Sequence, residues 1–160
     1  MNPFEEEKAF LQWLNAEITF SEGKVSDSLP YYFNIMNTRF RERALFQIGR
    51  GYFYEKKFRE AITNLDILSL EFPNSKYRDE SLFVKGESYV QLGNADQALE
   101  TFDLIARQTR ISPWGLLALT QIGNIHFLRN DIALMDVEVI NEWQPFQGTA
   151  GKKRDQATGN

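Results

Sequence analysis

The sequence predicts an all-α fold, a solenoid of about four antiparallel helix pairs. Three observations carry that prediction. The order Leu45, Gly49, Tyr52, Ala61, Leu65 returns 37 residues later as Leu82, Gly86, Tyr89, Ala98, Phe102, and a fixed period in this range marks a stacked repeat. Within each unit the apolar residues keep helical spacing. Turn chemistry punctuates the units at Lys56-Lys57, Pro73, Gly93-Asn94 and Ser112-Pro113.

In chain order, Asn2-Pro3 ahead of Glu5, Glu6 and Glu7 predicts a helix start, with a capping side chain, a first-turn proline and acids at the positive end of the dipole. Phe10, Trp13, Leu14 and Ile18 continue that helix to a stop at Gly23. Ser26 or Asp27 is expected to open the second helix, with Pro30 in its first turn, where a missing donor costs little. This opening pair is a degenerate repeat: Ala16, Ser28 and Tyr32 stand 33 residues before Gly49, Ala61 and Leu65. The second pair is expected over 41–55 and 58–71, ended by Pro73. Asn74-Ser75 is the expected cap of the third, over 76–92 and 94–108. Ser112-Pro113 opens the fourth, in which Gly123 keeps the 37-residue register. Its partner helix is expected over 131–143, and Gly148 to Asn160 reads as a flexible polar tail. The predicted organisation is one repeat domain over 1–146, with pairs at about 4–37, 41–72, 76–108 and 113–143, followed by a tail over 147–160.

The register has a steric reason. Two antiparallel helices that cross closely need small residues at the crossing. Gly49, Gly86 and Gly123 are expected on one side, Ala61 and Ala98 on the other. Glycine inside a helix costs about 0.5–1 kcal/mol against alanine, so its recurrence implies a packing demand.

The pattern L-x-x-I-G-x-x-Y … A-x-x-x-L … P resembles the tetratricopeptide repeat, over about residues 10–143. The resemblance implies a right-handed superhelix and a protein-binding scaffold rather than an enzyme. The 37-residue period, the E-F-P-N-S junction at residues 71–75 and the R-D-E-S-L-F segment at residues 78–83 are similar to bacterial envelope members of this family, among them the outer-membrane β-barrel assembly lipoprotein and the Tol–Pal coordinating protein. That similarity implies a periplasmic or outer-membrane-associated scaffold in envelope assembly, in preference to a cytoplasmic one.

In such a family the first helix of each pair lines the concave face. Counting from the crossing residue places Trp13, Glu17 and Phe20 there in the first pair, and Phe46, Arg50, Phe53 and Tyr54 in the second. Phe83 and Glu87 follow in the third and Phe127 in the fourth. Such an aromatic strip suits an extended segment or an amphipathic helix of a protein partner, with buried anchors supplying most of the affinity. Two alternatives stand beside it: a groove filled by the chain itself, and a module that self-associates through Val137, Val139, Ile140 and Trp143. Relatives that hold a chaperone's C-terminal carboxylate use lysine and asparagine in this groove. Trp13, Glu17, Phe46 and Arg50 fill those slots here, so the resemblance does not extend to that clamp.

The remaining chemistry points away from catalysis. The 160 residues contain no cysteine and one histidine, so thiolate chemistry is excluded and a His/Cys metal site is not expected. His126 occupies the repeat's tyrosine slot and is expected in the core. Glu5–Glu7 reads as a helix start, Asp79-Glu80 as a solvated face, and Gly49-Arg50-Gly51 is mid-helix and no phosphate loop. No catalytic residue, metal or cofactor is expected. A net charge of −4 argues against a nucleic-acid partner, and Lys152-Lys153-Arg154 is too short a basic cluster to reverse that. No run of about 18 apolar residues predicts a membrane span, and the N-terminus lacks a signal-peptide pattern.

Overall fold

A computed structural model describes residues 3–108 and 112–129. They form seven helices: α1 (Pro3–Ser21), α2 (Val25–Asn34), α3 (Arg41–Tyr54), α4 (Phe58–Glu71), α5 (Arg78–Gln91), α6 (Ala95–Gln108) and α7 (Pro113–Leu128). The pairs α1–α2, α3–α4 and α5–α6 pack against each other, and α6 packs on α7. The odd-numbered helices also touch in succession, α3 with α5 and α5 with α7. The architecture is a helical repeat solenoid. The expected Asn2 cap, the helix over 131–143 with Val137, Val139, Ile140 and Trp143, and the tail over 147–160 lie outside the described residues.

Three apolar clusters run from pair to pair. Ala9, Ala16, Leu29, Tyr32, Ile35, Ala44 and Ile48 join α1, α2 and α3. Leu45, Phe46, Leu65 and Leu68 join α3 to α4, with Tyr77 and Val84 packed against them from the next pair. Leu82, Ala98, Phe102, Ile105, Ala118 and Ile125 join α5, α6 and α7. No pair completes a core alone; each is closed by its neighbour, as a stacked array requires. The degenerate first repeat is real, since Ala16, Ser28 and Tyr32 are all fully buried.

The turns repeat as faithfully as the helices. Gly23 (φ 79°), Lys56 (φ 61°) and Gly93 (φ 75°) occupy equivalent left-handed positions at the ends of α1, α3 and α5. At each, the turn residue's N–H reaches back three residues and the next N–H five, to Phe20 and Thr19, to Phe53 and Tyr52, and to Val90 and Tyr89. This is the Schellman closure, which satisfies the last free carbonyls of a helix.

Four details of the sequence reading are corrected. Helix α2 starts at Val25 and takes no side-chain cap; the Ser26 hydroxyl donates instead to Glu55, the residue that follows α3. Pro30 therefore stands in the second turn, not the first. The helical bond it cannot donate leaves a carbonyl near its exposed ring, where water can reach. Helix α5 likewise has no side-chain cap: Ser75 accepts from the Tyr77 N–H at 3.1 Å, and the helix begins only at Arg78. Ser112 does cap α7, accepting from Gly115 at 3.0 Å. Finally, at Gly49 and Gly86 the side chain nearest the glycine is not the alanine's. A Cβ at Gly49 would stand 2.5 Å from Leu65 Cδ2, and one at Gly86 2.5 Å from Phe102 Cε1. Both contacts lie one turn beyond Ala61 and Ala98, which are themselves fully buried.

Candidate functional site

The ten residues expected on the concave face all lie on odd-numbered helices, and the structure sorts them into two groups. Trp13, Phe46 and Phe83 each stand three residues before a crossing position and join one repeat to the next. Trp13 stacks on Phe40 (centroids 5.4 Å, 6° between planes), Phe46 on Tyr77 (4.6 Å, 10°), and Phe83 tilts against Trp114 (5.4 Å). Phe46 is 1% exposed, and Phe83 also meets the buried Phe102 at 5.5 Å. Of these three rings Phe46 is buried, and Trp13 and Phe83 are half-buried. Their mates Phe40, Tyr77 and Trp114 fall 37 residues apart at helix starts, and that spacing was a readable signal of the seam.

The other group is spread along α1, α3, α5 and α7. Glu17 is held by Arg43, which donates from Nε at 2.8 Å and from Nη2 at 2.6 Å. The Tyr32 hydroxyl donates to the same carboxylate at 3.0 Å, and Gln47 at 3.4 Å. Two parallel charge-assisted bonds fix both orientation and register. Arg43 in turn lies over Tyr77, 5.1 Å from its centroid. Arg50 is enclosed by rings, its guanidinium 5.3 Å from Phe20, 5.4 Å from Phe46 and 5.9 Å from Tyr54. It donates to Gln47 at 3.1 Å and faces Glu80 at 3.6 Å. Phe53 packs edge-on to Phe58 and Tyr54. Tyr54, 55% exposed, and Phe127, 68% exposed, offer the open aromatic surface.

Glu87 is different. It is half-buried, and its Oε1 has no hydrogen-bond partner among the described residues. His126 is partly buried in its helix, consistent with its repeat slot. Among the described residues no cluster of three or more His, Cys, Asp or Glu is placed to hold a metal, and no helix is long and apolar enough to cross a membrane.

The two carboxylates have opposite acid–base behaviour. Burial pushes the Glu17 carboxyl up, but the Arg43 bonds and charge, with Tyr32 and Gln47, outweigh it and hold the group below 4.5. Its contribution to stability is present above pH 4.5 and is lost as pH falls through the depressed folded-state value. Burial alone pushes Glu87 up from 4.5. Its ionisation therefore costs stability from pH 4.5 upward, fully so above the raised value. Two melts at a series of pH values check this. Glu17→Gln is expected to lose about 1–2 kcal/mol at pH 7, the worth of its charged hydrogen bonds. Glu87→Gln is expected to gain, raising Tm by about 2–4 °C at pH 7. Glu87→Gln converges on the parent from above once pH falls below 4.5, whereas Glu17→Gln converges from below only once pH falls below the depressed folded-state value of Glu17. A Glu87→Gln protein that melts below the parent at pH 7 contradicts the uncompensated charge.

Comparison with known proteins agrees with this geometry. Residues 43–75 and 80–108, which span α3–α4 and α5–α6, match the family model described as the tetratricopeptide repeat. No curated protein matches the chain. The fold is similar to the crystal structure of PcrH from Pseudomonas aeruginosa (15% identity, 75% of this chain and 92% of that one, TM-score 0.66). It is similar also to the crystal structure of PcrH in complex with the chaperone binding region of PopD (16% identity, 78% and 95%, TM-score 0.66). At such identities the likeness establishes a shared helical-repeat fold.

Proposed function

We propose that this chain is a non-enzymatic scaffold that receives an extended or helical segment of a protein partner across the face shared by α1, α3 and α5. The observation that carries this reading is the aromatic ledge formed by the half-buried Phe53 and the exposed Tyr54 beside the ring-enclosed Arg50. It supplies apolar anchoring area next to fixed polar groups, the combination on which peptide-binding hot spots are built. A related fold, PcrH, has been crystallised with a segment of another protein, which supports the class of ligand.

The test uses two double variants in a pull-down from the source organism. Phe53→Ala with Tyr54→Ala is expected to cut partner recovery about tenfold or more, as losing hot-spot residues does. Phe33→Ala with Leu70→Ala removes exposed apolar groups from the even-numbered helices α2 and α4 and is expected to retain it. Equal recovery by a folded Phe53/Tyr54 variant removes the proposed face. The finer placement, in bacterial envelope assembly, rests on the E-F-P-N-S junction over residues 71–75 and the R-D-E-S-L-F segment that follows. Cell fractionation tests it, and a purely cytosolic protein sinks it. The rival, self-association through the terminal repeat, predicts a concentration-dependent mass in light scattering, whereas the scaffold reading predicts a constant one.

A further inference from the structure

One slot of the repeat lies immediately after the crossing position and is filled by Glu17 on α1, Arg50 on α3 and Glu87 on α5. In the first two repeats the charge in this slot is matched from within the chain: Glu17 by Arg43, and Arg50 by Glu80 and three aromatic rings. In the third it is not. Glu87 is half-buried with a buried Oε1 that accepts no hydrogen bond among the described residues.

Along α3, α5, α6 and α7 no lysine or arginine is left unpaired to answer it. On α5 itself, Lys85 is paired with Asp66 and Arg78 with Asp79. On α3, Arg41 is held by Glu71, Arg43 by Glu17 and Arg50 by Glu80. Arg107 of α6 is paired with Asp103. Helix α7, which packs directly on α5, contains no lysine or arginine from Pro113 to Leu128. A carboxylate withdrawn from water is costly unless it is paired. A partner that supplies the missing cation relieves that cost at the moment it binds, and this favours a basic side chain over a neutral or acidic one.

We infer that Glu87 is the specificity-determining residue of the proposed face, and that the bound segment of the partner polypeptide carries a lysine or arginine that pairs with it. The same face binds that segment's apolar side chains at Phe53 and Tyr54. This inference rests on the scaffold reading, and the experiment separates the two.

A displayed library of random twelve-residue peptides is selected on the full chain, on Glu87→Gln, on Glu87→Lys, and on Phe53→Ala with Tyr54→Ala. Because Glu87→Gln only removes a charge, it keeps the fold, and a melt confirms it. The expected result is enrichment of lysine or arginine at one position of the peptides selected on the parent. Those peptides bind Glu87→Gln about tenfold or more weakly, and selection on Glu87→Lys turns the enrichment to aspartate or glutamate. Selected peptides that need Phe53 and Tyr54 but show no basic position overturn this inference and leave the scaffold reading standing. Peptides that are indifferent to both the aromatic and the Glu87 substitutions, or a failure to select any, overturn both. Basic enrichment that emerges only after Lys152, Lys153 and Arg154 are replaced by alanine assigns Glu87 to the chain's own C-terminal segment, and that also overturns the inference.

Discussion

Truncating Phe46 to alanine is expected to remove about 3–5 kcal/mol of folding stability, measured by urea titration of the purified chain. The side chain is 1% exposed. One ring face is stacked on Tyr77 at 4.6 Å, and the guanidinium of Arg50 lies 5.4 Å from the ring centroid. Its loss therefore does more than open a cavity. It unseats Tyr77, which stands at the start of α5, and so loosens the second repeat from the third. A domain of this size has only about 5–15 kcal/mol in hand, so the variant sits near the threshold of folding. Tyr54→Ala is the informative companion. Its ring is 55% exposed, and the change is expected to move stability by no more than about 0.5 kcal/mol. If Phe46→Ala melts with the parent and loses only partner binding, Phe46 is a surface anchor and the seam account is wrong.

That contrast marks what the sequence could and could not disclose. The period located Ala16, Ser28 and Tyr32 as a worn repeat, and all three are buried as the register demands. It placed the boundaries of α4 at Phe58 and Glu71, because Lys56-Lys57 and Pro73 are punctuation that the backbone must obey. Counting around a single helix from its glycine assigned Trp13, Phe46 and Phe83 to the face beside Glu17, Arg50 and Glu87. The helical count is sound for one cylinder. It is blind to where the next repeat leans in. Phe40, Tyr77 and Trp114 pack on those three rings from the following helix starts, which a count around one helix does not relate to it.

The charges were less legible still. Glu17, expected on the concave face, meets Arg43, 26 residues on, in a pair that no local spacing reveals. Arg50, expected on the same face, already faces Glu80. Pairing across repeats depends on side-chain reach between helices, so it emerges only when α1, α3 and α5 are laid side by side. Glu87 occupies the same slot as the other two, yet only the structure distinguishes it, by the partner it lacks.

Adding one methyl group at Gly86 is expected to cost about 2 kcal/mol, although alanine is the better helix former. The propensity gain is about 0.5–1 kcal/mol. Against it, a Cβ would lie 2.5, 2.7 and 2.9 Å from Cε1, Cζ and Cδ1 of Phe102. Those three atoms belong to one rigid ring that is fully buried and backed at 5.5 Å by Phe83, so the ring cannot fold away from the intruder. Gly49→Ala faces a softer neighbour, since Leu65 can change rotamer, and its expected cost is smaller, about 1 kcal/mol. The crossing model is tested by coupling. Phe102→Leu alone leaves a cavity and costs about 1–2 kcal/mol. Combined with Gly86→Ala it frees the volume that the new methyl needs, so the double variant is expected to be about 1 kcal/mol more stable than the sum of the two changes. Strict additivity in that cycle means that the methyl and the ring do not meet, and that the glycine register has some cause other than the close approach of α5 and α6.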